Sequence, residues 1–242
     1  METLSDGVPG TPRASGLVAE LRRWIAEGRY PAGTRLAEET VAQDLGVSRT
    51  PVRLAFRTLA QEGLLESAGK RGFVVRAFSA EDVRCAVEVR GVLEGLAARR
   101  LCERGPDAAT LAVFEQCLAE GEAVLARGTL QLEDIERWSL LNARFHAALV
   151  EGAGSRVVAD AIARNDHLPF ASADSITLET EALDRETTKL QVAQLQHRLI
   201  VDALRAGESA RVEALVREHA LIGVRYAPLF GLQPVAAPNA PR

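Results

Sequence analysis

Residues 46–57 read GVSRTPVRLAFR, and no other stretch restricts the fold as tightly. Gly46 ends one periodic segment, and Ser48 stands where a helix N-cap belongs. Pro51 fits a first helical turn, whose amide hydrogens have no partner within the helix. The helix that begins here carries Ser48, Arg49, Thr50 and Arg53 at its leading end. Arg49 and Arg53 are four apart and share a face, while Val52 looks inward. Leu54, Ala55 and Leu59 are expected to add further packing. A helix with a cationic leading edge and an apolar flank is what a DNA major groove accepts. A solvated surface helix with two ordinary arginines would read the same way, so the flanking segments must decide.

Residues 17–28 place Leu17, Val18, Leu21, Trp24 and Ile25 at helical spacing, closed by Gly28. RYPAGTRL then turns through Pro31 and Gly33. Glu38–Leu45 predicts a short helix with Val41, Ala42 and Leu45 inward. The arginine-bearing helix runs from about Ser48 to Gln61 and stops at Gly63. A strand opening at Leu64 and Leu65 and another over residues 73–76 flank the turn Gly69-Lys70-Arg71-Gly72. Helix, helix, turn, helix and hairpin together make a winged helix-turn-helix. Lys70 and Arg71 sit at its hairpin tip, within reach of phosphate or minor groove.

Charge follows the same division. Residues 11–78 hold 11 Arg or Lys against 7 Asp or Glu, a local +4, and residues 79–242 hold 18 against 24, a local −6. A basic module on an acidic body suits a nucleic-acid head joined to a sensing or dimerising partner domain. Cys85, Cys102 and Cys117 lack metal-type spacing and predict buried thiols in a reducing compartment. No basic leader with an apolar run, and no span of membrane length, is present, which predicts a cytoplasmic protein.

From Ser79 on, the pattern is helical. Ser79 and Asp82 have the spacing of a capping box. Apolar periodicity predicts helices over residues 82–103, 106–125, 134–151, 155–165, 183–204 and 208–226, with Val89 among the inward positions of the first. An irregular loop is expected near His167. The resulting organisation is a tail at 1–15, a winged helix-turn-helix at 16–78, an all-α antiparallel bundle at 79–227, and a second tail at 228–242.

Three of the four histidines, His146, His197 and His219, lie on these helices among apolar neighbours, and Asn142 stands four residues before His146. Three imidazoles and one side-chain oxygen suit a divalent metal, with zinc, nickel, manganese and iron all admissible. Separately satisfied core histidines are the alternative. Arg90 and Glu94 share a face of the first bundle helix, either as an internal ion pair or as a carboxylate clamp.

The segment YPAGTRLAEETVAQDLGVSRTPVRLAFRTLAQEGLLESAGKRGFVV resembles the N-terminal domain of the GntR family of bacterial transcription regulators. The matching pieces are Ala32-Gly33, Leu36-Ala37-Glu38, GVSRTPVR at residues 46–53, and Arg71-Gly72. The family usually continues Val-Arg-Glu-Ala-Leu; here the Glu position holds Leu54. The resemblance implies that Arg35, Ser48, Arg49, Thr50 and Arg53 contact operator DNA, and that Lys70, Arg71 and Gly72 form the wing contacts. The bundle is similar to the FCD ligand-binding domain at Glu88-Val89-Arg90, Leu93-Glu94, residues 142–146, residues 196–200 and Glu218-His219. That similarity implies a homodimer and a metal, zinc first, held by Asn142, His146, His197 and His219. It further implies that Arg90 faces the effector and that the protein is a repressor released by it; a metal with an arginine beside it suits a small organic acid, and Glu94, Arg144 and Asn165 are further candidates for that pocket. A metal-dependent hydrolase with a vestigial head, or a structural DNA-binding protein, would be the alternatives. The sequence holds no HExxH or GxSxG to support the former.

Overall fold

A computed structural model describes residues 14–26, 28–69, 72–128, 130–166, 168 and 183–226. Lys70, Arg71, His167, the loop expected after it, and nearly all of both expected tails lie outside the described residues. The chain divides into two compact units between Ala77 and Phe78.

The first unit runs α1 (Ala14–Ala26), β1 (Arg35–Leu36), α2 (Glu38–Leu45), α3 (Arg49–Gln61), β2 (Leu65–Ser67) and β3 (Phe73–Val75). Its antiparallel sheet has the order β1-β3-β2, with Leu36 opposite Phe73 and Leu65 opposite Val75. The two-residue β1 lies where the sequence suggested only a connection. Gly46 takes the left-handed conformation at φ 64° and returns its N–H to Ala42 and Gln43, which ends α2 and turns the chain into α3. Leu21, Ile25, Val52, Phe56 and Leu59 are buried at the centre of this unit. Leu54 departs from expectation: it is 51% exposed, because Val52, Ala55, Phe56 and Leu59 already complete the inward face of α3.

The second unit is wholly helical among the described residues: α4 (Ala80–Arg104), α5 (Ala108–Leu125), α6 (Leu132–Gly152), α7 (Arg156–Asp166), α8 (Leu183–Ala206) and α9 (Ser209–Ala220). The Ser79–Asp82 capping box forms, with Asp82 N–H donating to Ser79 Oγ at 3.1 Å and Ser79 N–H to Asp82 Oδ2 at 2.8 Å. Asp107 caps α5 through the Thr110 amide at 2.7 Å. The expected last helix is interrupted: α9 stops at Ala220, and Ile222–Tyr226 continues as a π-helical turn. Phe114, Phe145, Leu149, Ile200, Val212 and Val216 fill one core cluster. Val89 is exposed rather than inward, and so is Cys85, while Cys102 and Cys117 are buried. The inward face of α4 is taken by Ala86, Arg90, Gly91, Glu94 and Gly95, which leaves residues 85, 89 and 92 on the outside. No described helix is long and apolar enough to cross a membrane.

Gly91 and Gly95 set how closely α4 approaches α9. A Cβ at Gly95 would lie 2.8 Å from Arg217 Cγ and 3.0 Å from the Glu213 carbonyl. Gly95→Val is therefore expected to destabilise the bundle by about 1–3 kcal/mol through overpacking. Urea unfolding followed by circular dichroism measures this, and an unchanged midpoint would refute the close approach.

Candidate functional site

Two sets of the expected residues are assembled, one in each unit. On α3, Ser48 occupies the N-cap with extended backbone (φ −76°, ψ 162°), and its side chain makes no capping hydrogen bond. Its hydroxyl is thus not consumed by the helix end. Ser48, Arg49, Thr50 and Arg53 are all exposed, as are Arg35 on β1 and Arg57, one turn beyond Arg53. Sequence reasoning passed over Arg57, although Arg49, Arg53 and Arg57 repeat every four residues. It named Glu38 only at a helix start and within the Leu36-Ala37-Glu38 match, and missed its partner: the carboxylate accepts from Arg53 Nε and Nη2, both at 2.7 Å. The Arg53 hydrogen bond, with Arg49 and Arg57 nearby, holds the Glu38 carboxyl below its ordinary value. The two residues lie 15 apart on different helices, so no local pattern could have joined them. Gly72 adopts φ 92° immediately before β3. That left-handed conformation is one glycine reaches without strain.

In the second unit, His146 on α6, His197 on α8 and His219 on α9 converge, each at most 4% exposed. His219 Nε2 lies 3.3 Å from His146 Nε2 and 3.1 Å from His197 Nε2. The outer nitrogens of two rings are anchored. His146 Nδ1 lies 2.9 Å from Glu94 Oε2, and His219 Nδ1 lies 2.9 Å from Gln196 Oε1. A carboxylate and an amide oxygen accept, so both Nδ1 atoms donate. With Nδ1 donating in each ring, the neutral forms of His146 and His219 would turn their Nε2 lone pairs towards each other. His197 lies parallel to Trp138 at 5.9 Å and stacks on Phe145 at 4.1 Å between ring centroids. Its Nδ1 has no hydrogen-bond partner among the described residues.

A cation between the three Nε2 atoms would satisfy all of them at once. A proton suits poorly, because burial first, and then the neighbouring imidazoles, push His197 and His219 well below their ordinary value of 6.5. A metal suits well. Nitrogens bound tetrahedrally at about 2.0–2.1 Å stand about 3.3 Å apart, close to the separations found. All three ligand nitrogens fall within 4.8 Å of one another, so the buried cluster could coordinate a metal ion. The Glu94–His146 and Gln196–His219 pairs are the kind of support that orients metal-binding imidazoles. Gln196 went unnoticed in the sequence because it adjoins His197 and shows no periodic link to His219.

The remaining expected residues divide. Asn142 is buried one turn before His146. Arg90 is brought near the cluster: its Nε lies 3.7 Å from Glu94 Oε1 and its Nη2 3.5 Å from the Ala220 carbonyl. Burial alone would raise the Glu94 carboxyl, but His146, Arg90 and His219 outweigh it and hold the group at about 2. Arg144 is not brought in; it is exposed and pairs with Glu120 on α5 at 2.7 Å. Asn165 donates to the Ala86 carbonyl at 3.1 Å, tying α7 to α4. A cleft of about 390 Å³ opens beside the cluster between α4, α6 and α7, lined by Glu94, His146, Val150, Glu151, Ile162 and Asp166 among others.

These shifts give the metal-free protein an acid limit. Because His197 and His219 titrate lower when folded, the unfolded chain binds more protons below 6.5. Their contribution is complete above that value and falls as pH drops. Glu94 acts in the same direction, but only as pH falls from 4.5 towards about 2. The urea midpoint of chelated protein is expected to stay level above about pH 7 and to decline between roughly pH 6.5 and 5. A level profile down to pH 5 would contradict the buried neutral imidazoles.

A winged helix-turn-helix head and a helical body with a buried polar centre are the parts of a ligand-responsive, DNA-binding transcriptional regulator. Residues 13–75 match the model for bacterial regulatory proteins of the gntR family, and residues 85–221 match that for the FCD domain. The chain belongs to the GntR family, in the branch that carries an FCD domain. It is 33% identical over 196 residues to a probable D-xylose utilization operon transcriptional repressor of Paenarthrobacter nicotinovorans, covering 81% of this chain and 80% of that protein. It is also 33% identical over 146 residues to the uncharacterized HTH-type transcriptional regulator YdhC of Bacillus subtilis, covering 60% of this chain and 63% of the relative. The solved structure of E. coli McbR/YncC superposes with a TM-score of 0.61 at 19% identity, over 92% of this chain and 98% of that one, which speaks to the fold alone.

Proposed function

We propose that the chain is a homodimeric, metal-dependent repressor released from its operator by a small organic acid. Its reading head would end at residue 78 and its sensor span residues 79–227. Ser48, Arg49, Thr50 and Arg53 would read bases and phosphates in the major groove, with Arg35 and the Lys70-Arg71-Gly72 wing on the backbone. Glu38 would hold the Arg53 fork in a single orientation before DNA arrives. His146, His197 and His219 would hold a divalent ion, zinc first, with Asn142 Oδ1 as a neutral fourth ligand. Nickel, manganese and iron suit the same donors. The observation that carries this reading is the pair of facing Nε2 atoms on two imidazoles whose other nitrogens are already committed.

The acid's carboxylate would join the ion's ligands, with the Arg90 guanidinium adding positive charge beside Glu94. The metal's charge matters here. The cleft presents the carboxyls of Glu94, Glu151 and Asp166 and no Arg or Lys among its lining residues. A free anion would be repelled there, so acid binding should require the loaded protein. Thermal unfolding with a panel of dicarboxylates, hydroxy acids, sugar acids and aromatic acids tests this. At least one acid is expected to stabilise zinc-loaded protein and leave chelated protein unchanged. Equal shifts in both forms, or none with any acid, would defeat the proposal. Asn142→Asp is expected to tighten zinc binding by exchanging a neutral ligand for an anion. Isothermal titration showing equal affinity would place Asn142 outside the ligand set.

A further inference from the structure

We propose that Leu54 reads the 5-methyl group of a thymine in the operator, adding an apolar base contact to an otherwise polar and cationic reading face. The inference rests on the assignment of α3 as the reading helix. Leu54 is 51% exposed, so about half of its surface is left uncovered by the described residues. The inward face of α3 is complete without it, since Val52, Ala55, Phe56 and Leu59 are each at most 2% exposed. At 100° per residue, Leu54 lies beside Thr50 one turn back and Arg57 one turn on, on the same outward stripe. Both neighbours are exposed.

An exposed leucine between a threonine and an arginine gains nothing from water. On a helix entering the major groove it meets base edges, and the only apolar group those edges present is the thymine methyl. The residue cannot accept or donate a hydrogen bond, so it cannot recognise any other groove atom by that means. A carboxylate at this place would instead favour a cytosine amino group, so Leu54 shifts the preference at one base pair away from C and towards T. The contact occurs once per head and therefore twice in a two-fold operator.

The test uses the full-length protein and a duplex that it enriches from a randomised pool. Each thymine is replaced in turn by deoxyuridine, symmetrically in both half-sites, which removes only the methyl group. One such position is expected to weaken wild-type binding by about threefold to tenfold. Leu54→Ala is expected to bind the thymine duplex that much more weakly and to be indifferent to the same replacement. Arg49→Ala runs alongside. If no position couples to Leu54 while Arg49→Ala loses the duplex, the inference fails and the reading helix stands. If Arg49→Ala binds like wild type, the assignment of the helix fails and the inference with it. Circular dichroism confirms that each variant is folded.

Discussion

Arg49→Ala is expected to abolish sequence-specific DNA binding while leaving the fold unchanged. Arg49 is exposed at the first position of α3, where its guanidinium supports no core residue. An arginine reading a guanine edge bidentately contributes about 1–3 kcal/mol of discrimination, and a two-fold dimer loses that amount twice. The expected loss is therefore about 30-fold to 10⁴-fold in affinity for an enriched duplex. Binding to random duplex should fall much less, because phosphate contacts from the other cations persist. Fluorescence anisotropy at fixed salt separates the two. Equal losses on both duplexes would make Arg49 a phosphate contact, and no loss on either would remove α3 from the interface. Arg53→Ala should have a mixed effect, since it also strands Glu38 as an unneutralised carboxylate facing DNA.

The second large effect is His197→Ala. The variant removes one of three converging nitrogens, so zinc affinity should drop by more than the 10–100-fold that loss of a merely supporting residue causes. Linkage makes the same loss visible in stability. At free zinc about 1,000 times the wild-type Kd, the loaded protein should gain about 4 kcal/mol over its chelated form, and a variant weakened more than about 100-fold should gain less than about 1.4 kcal/mol. The comparison within each variant matters, because His197 also packs between Trp138 and Phe145. Its truncation costs stability whatever the zinc content. A variant that still gains as much from zinc as wild type would show that His197 is packing and not ligand.

Much of this architecture was legible in the sequence, for reasons that differ by element. The bounds of α2 and the start and end of α3 follow from Gly46, Ser48, Pro51 and Gly63, each of which acts through its own backbone. The Ser79–Asp82 cap was readable because both partners sit within one turn. The histidine trio was visible as three polar residues on apolar faces. What escaped was non-local. Glu38 meets Arg53, Glu94 meets His146, and Gln196 meets His219 only after helices pack. Leu54 and Val89 failed for a related reason: periodicity marks a residue as apolar but does not say whether the face is already full. Arg144 was expected near the effector, yet one step along the helix from buried Phe145 rotates its side chain by about 100° and turns it to Glu120.

The account's central claim is that the occupied histidine centre changes how tightly the head holds DNA. The direct measurement is anisotropy of an enriched operator duplex with zinc-loaded protein, with and without each acid that stabilises it, repeated after chelation. A coupling of about 1–3 kcal/mol would weaken operator binding by about 5-fold to 150-fold in the loaded protein. The chelated protein should show no response to the same acids. Identical DNA affinity with and without every stabilising acid would contradict the account, leaving a reader and a metal centre that do not communicate.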